Sequence, residues 1–171
     1  MSKLIIRILE HSRRALILAT ATAALGLTLT PAATAAEVRV QLDVSEVPEL
    51  QAWGDKSKAL CQEWFPKILA LLPSQGFQGP DAVYLKFSKD MEGVAATGGD
   101  HITVSASYVK QATNDFGMVV HELVHVVQAY PPHKQGFETP GWLVEGIADY
   151  IRLFKFEPDA PRPRINPATD S

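Results

Sequence analysis

The segment "EVRVQLDVS" puts Val38, Val40, Leu42 and Val44 at every second position, the period of a strand buried on one face. From Leu50 the period changes. Leu50, Trp53, Leu60, Cys61, Trp64, Ile68, Leu71 and Leu72 follow a 3.6-residue repeat, which predicts an amphipathic helix with its tryptophans in the core. Pro66 falls on the polar side and predicts a kink there, or two abutting helices. "PSQGFQGP" reads as a loop, and "AVYLKFS" alternates again as a second strand. "GVAAT", "GGD" and "HITVSAS" together read as a hairpin turning on glycine. A further helix is expected to begin near Thr113–Asp115, where "TND" offers a cap and early negative charge, and to run to Tyr130, ahead of Pro131 and Pro132. Beyond the loop "PPHKQGFE", the segment "TPGWLVEGIADYIRLF" predicts a helix capped by Thr139 with Pro140 at its first position. Together these elements predict an α+β fold: a small mixed sheet from strands near 38–44, 82–88 and 94–106, with helices packed on one side.

The residues before Glu37 do not share this patterning. Lys3, Arg7, Arg13 and Arg14 precede "ALILATATAALGLTLTPAATAA", 22 residues without a charge that end in small side chains. That order predicts a signal peptide over residues 1–35, cut after Ala35 or one residue later, and a secreted or periplasmic protein. "SRRALIL" resembles the twin-arginine signal, the route of already folded proteins. A retained anchor is the alternative, since 22 uncharged residues match a bilayer, but five threonines and Pro31 make a weak span. No stable membrane association is therefore expected after cleavage.

About 135 residues remain, enough for one domain with a real core, assigned to 36–156. The stretch 157–171, "EPDAPRPRINPATDS", is too rich in proline to predict a packed element. The full sequence carries a net charge of −3; without the leader's four basic residues and Glu10, 12 basic and 18 acidic side chains are left, a net −6. No Lys/Arg cluster stands out, so nucleic acid is not an expected partner. Cys61 is the sole cysteine, which excludes an intrachain disulfide and a thiolate-rich metal site.

Chemistry concentrates in "VVHELVHVVQAY". On a helix, His121 and His125 lie four apart on one face and can present both imidazoles to a single ion. Glu122 sits one step round, within reach of a water on that ion but poorly placed as a ligand. His-Glu-x-x-His in zinc hydrolases means two nitrogen ligands with a carboxylate base beside them. A catalytic zinc takes three protein ligands and keeps a fourth position for water. In "WLVEGIADY", Glu145 and Asp149 are again four apart and interrupt the apolar pattern of Leu143, Val144, Ile147 and Ala148. Two carboxylates on the buried side of a helix need partners. A metal for Glu145 and an imidazole N–H for Asp149 would supply them.

The helix pair "HELVHVVQAY…GWLVEGIADYIR" resembles the basic secretory protein family, zinc peptidases of plants and bacteria that group with the gluzincins, over roughly residues 80–165 and more loosely 47–72. The resemblance implies a zincin-like fold, one zinc ion held by His121, His125 and Glu145, Glu122 as general base and Asp149 orienting a histidine. It further implies that the "HITVSAS" strand borders the cleft and pairs with an extended peptide or protein substrate. The acidic balance departs from the family's name. Bacterial members continue past the proline-rich stretch with further helices, so this sequence reads as shortened at Ser171. The expected activity is zinc-dependent peptide hydrolysis. The alternative is a zinc-binding but catalytically inactive homologue that acts as a binding protein. An oxyanion donor besides the metal is also needed, and Tyr108, Tyr130, His133 and Tyr150 all qualify chemically.

Overall fold

Strands β1 (Arg39–Asp43), β2 (Ala82–Ser88), β3 (Ala95–Gly98) and β4 (His101–Ser105) form a mixed sheet in the order β1-β2-β4-β3. The computed structural model describes residues 38–129 and 139–161; the expected signal peptide, the loop "PPHKQGFE" with Tyr130 before it, and the end of the proline-rich tail lie outside them. β1 and β4 both run parallel to β2, and β3 turns back antiparallel on β4. The α+β class read from the periodicity is the class observed.

The register explains which side is covered. Val40 aligns with Val83, Leu42 with Leu85 and Ile102, and Phe87 with Val104 and Ala95. These residues share one face by the two-residue period, and Val83, Leu85, Phe87, Ile102 and Val104 are buried. On the other face Lys86 is exposed. Burying one such side chain stabilises by about 1.5–3 kcal/mol, so this face supplies much of the driving force.

Helix α1 (Gln51–Leu71) lies against that face after a short 3-10 turn, and it buries Ser57, Cys61, Phe65 and Ile68 at helical spacing. Pro66 sits inside one continuous helix, so the expectation of two abutting helices does not hold. A proline ring costs the bond to the carbonyl four residues back, here that of exposed Gln62, which can turn to water. The tryptophans sit half-buried at the edge of the core and act as pins. Trp53 stacks on Phe116 at 4.5 Å and donates its indole N–H to the Thr113 carbonyl at 2.9 Å. Trp64 meets Phe156 edge-on at 5.3 Å.

The hairpin closes through a two-residue loop, with Gly98 paired to His101 and Gly99 at φ 64°, a conformation that glycine adopts without strain. β4 then ends sooner than "HITVSAS" suggested. Ser105 caps a short helix α2 (Ala106–Gln111) by accepting from the Tyr108 amide. A local side-chain bond of this kind competes with the strand ladder. Helix α3 (Gly117–Gln128) follows and is buried on nearly every side. The predicted cap is present in substance: Asp115 Oδ1 accepts from the Met118 amide at 3.2 Å.

Helix α4 (Gly141–Ile151) continues into a π-helical turn, Arg152–Phe156. Pro140 occupies the N-cap position itself, so the expected Thr139 cap lies one residue off. Among the described residues, no helix is long and apolar enough to cross a membrane.

Candidate metal centre

Helix α3 projects His121 and His125 from its one partly open face, the ring centroids 4.8 Å apart. The Nε2 atoms of the two rings are 3.1 Å apart. Glu145 Oε2, from α4, lies 3.1 Å from His121 Nε2 and 3.4 Å from His125 Nε2. The three side chains form a group able to hold a metal ion.

The other ring nitrogens decide what this cluster is. His121 Nδ1 faces Asp149 Oδ1 at 2.9 Å, and His125 Nδ1 faces Gln128 Oε1 at 2.7 Å. The Gln128 amide nitrogen donates to the Val144 carbonyl at 2.9 Å, which fixes its oxygen towards His125. Both partners accept, so each ring carries its proton on Nδ1. That leaves two nitrogen lone pairs and a carboxylate oxygen pointed at one another. A bridging proton would relieve one pair of the three. A cation relieves all of them, and an ion about 2.0–2.1 Å from each atom in tetrahedral geometry spaces its ligands by about 3.3–3.4 Å. The donor set fits such an ion.

Glu122 is 9 % exposed, and Thr97 donates to its Oε2 at 2.7 Å. A cavity of about 490 Å³ lies in front, walled by β3 and by the two helices, with Thr97, Glu122, Gln128 and Val144 beside the three metal-competent residues.

Several expectations need correction. Glu145 and Asp149 are not on a buried face: their side chains are 61 % and 54 % exposed. α4 buries only Ala148 and Ile151 and turns Trp142, Leu143 and Tyr150 outward. The cost of burying lone carboxylates therefore does not argue for the metal; the converging lone pairs do. The "HITVSAS" strand cannot pair with a substrate either, because β4 is held by β2 on one side and β3 on the other. The edge beside the cavity belongs to β3. Of the oxyanion candidates, Tyr130 and His133 lie outside the described residues. The Tyr108 hydroxyl is committed to Asp115 Oδ2 at 2.6 Å, a bond that holds the phenol above its usual pKa of 10.0. Tyr150 is exposed, stacks on Phe154 and is not among the residues that line the cavity.

Glu157, assigned to the tail, is part of the packing. Its Oε2 accepts from Arg152 Nε at 3.4 Å, and Arg152 Nη2 donates to Asp115 Oδ1 at 2.6 Å. The Glu157 carboxylate lies where a side chain on Gly117 would go, so the start of α3 accepts no Cβ without displacing it.

Residues 55–163 match the model of a family described as BSP, peptidase of plants and bacteria. The chain belongs to this family. The BSP match spans α3 and α4, which carry the three metal-competent side chains, as well as β2 to β4 and most of α1, and it agrees with the likeness carried by the helix pair. No curated protein and no solved structure matches the chain. Gln128 and Thr97 are the two site residues that sequence reasoning passed over. Gln128, a polar side chain three positions after His125 in an apolar run, was visible in principle. Thr97 was not, because its place depends on strand order.

Proposed function

We propose that the protein is an exported, zinc-dependent peptidase of the gluzincin type, with peptides or proteins as substrates. The observation that carries this reading is the convergence of two imidazole nitrogens and a carboxylate oxygen within 4.8 Å, beside a largely buried glutamate, in a chain of a peptidase family. Zinc held by His121, His125 and Glu145 would activate a water and polarise the scissile carbonyl. Glu122 takes the proton of the attacking water and returns it to the leaving amine. Asp149 and Gln128 each hold one ring by its Nδ1–H, so neither imidazole reorients during turnover. Among the described residues β3 ends the sheet, and its outer edge suits an extended peptide laid along the cavity.

Glu122→Gln tests the assignment. It should keep stoichiometric zinc, read by metal analysis, and lose at least about 100-fold in hydrolysis of casein or a peptide library. Chelator should abolish the wild-type activity. Undiminished hydrolysis by the variant would remove Glu122 as base. Stoichiometric zinc with no cleavage by the wild type would instead favour the inactive binding protein.

A further inference from the structure

Alternation along β3 places Ala95 and Thr97 on the helix-covered face, since they pair with buried Val104 and Ile102. Thr97 therefore faces α3, and its hydroxyl meets two oxygens of one residue: Glu122 Oε2 at 2.7 Å and the Glu122 carbonyl at 3.1 Å. A threonine has one proton to donate. The shorter contact is in the range of a charge-assisted bond to a carboxylate, and the longer one is beyond the usual O–H···O distance. The proton thus goes to the side chain. Joining β3 to α3 through the carbonyl alone would have reversed the two distances.

We infer that Thr97 is a positioning residue for Glu122, anchoring one carboxylate oxygen so that the other is presented to the water. This deepens the peptidase reading and rests on it. Glutamate has three side-chain torsions to fix, and at 9 % exposure water contributes little to holding them. The anchor comes from the strand that walls the cavity, so base and substrate-binding edge keep one relative position. Near-attack geometry is sensitive to displacements of about 1 Å, which can cost about 100-fold in rate.

The test compares Thr97→Val, which keeps size and β-branching without the hydroxyl, with Thr97→Ser, which keeps the hydroxyl. Both should bind zinc stoichiometrically. In Thr97→Val, kcat on an unstructured peptide should fall about 10- to 100-fold with KM within about threefold, and Thr97→Ser should restore most of the loss. Crystal structures of the zinc-loaded forms supply a readout without turnover: one Glu122 position in wild type and Thr97→Ser, a displaced or divided one in Thr97→Val. An unmoved carboxylate in Thr97→Val, or equal losses of kcat in both variants, overturns the inference. If the wild type has no turnover the peptidase reading falls by itself, and the crystals still decide the role of Thr97. Should Thr97→Val not fold, Thr97→Ala carries the same outcomes.

Discussion

Gln128 makes two hydrogen bonds of opposite sense, accepting from His125 and donating to the Val144 carbonyl of the neighbouring helix. It both sets a tautomer and joins α3 to α4 one residue before Glu145. Gln128→Leu should keep the fold and weaken zinc binding about 10- to 100-fold, measured by competition with a chelating dye. An unchanged affinity would show that the imidazole needs no such partner. At this scale the sequence was most legible where chemistry follows helical spacing. His121 and His125 had to share a face once the segment was a helix, and so did Glu145 and Asp149. Burial was misjudged because α4 offers apolar residues outward as well as inward. Trp142 is 75 % exposed, and nothing in a hydrophobic pattern tells which side meets the core. Cys61 fits its reading as core: burial pushes its thiol pKa up to about 12, so it is inert at neutral pH.

Among the elements, the ends of α3 and α4 are joined by Asp115, which binds the Tyr108 hydroxyl, the Met118 amide and Arg152. Replacing Arg152 with Met leaves Asp115 and Glu157 without their shared cation. The pair is 17–25 % exposed at Asp115 and Arg152, between surface and buried bridges, so the expected loss is about 1–3 kcal/mol in urea unfolding. A loss below about 0.5 kcal/mol would mean that the network is surface decoration. Element types were legible where the period ran long, as in α1 and α3. The misses were local. α2 replaced the end of a strand because Ser105 could cap it, and the α4 start moved by one residue. Strand order needed pairings between segments far apart in sequence, which periodicity does not encode; hence the resemblance pointed to β4 as the strand open to pairing, whereas β4 lies inside the sheet and β3 ends it among the described residues.

On the scale of the whole molecule, the two site-bearing helices are unequally anchored, with two fully buried residues described on α4 against ten on α3. Among the described residues, the fully buried contacts of α4 come from Ala148 and Ile151, Ile147 packs half-buried against the core, and polar contacts with His121 and Gln128 add to these. A ligand that binds only the folded form stabilises it by about 2.7 kcal/mol at a hundredfold excess over Kd. Zinc should therefore raise the melting temperature, and chelation should speed amide exchange over residues 141–151 well before it does so over 51–71. Identical exchange in both forms would mean that α4 docks without help from the ion.

The outward tryptophan of α4 gives that loosening an optical signature. Trp142 stands in solvent three positions before Glu145, whereas the indoles of Trp53 and Trp64 are sheltered against Phe116 and Phe156. A water-soluble quencher such as acrylamide will reach the first fluorophore and largely spare the other two. The quenchable share of the emission can therefore follow the helix that carries Glu145, with no dye attached and no residue changed.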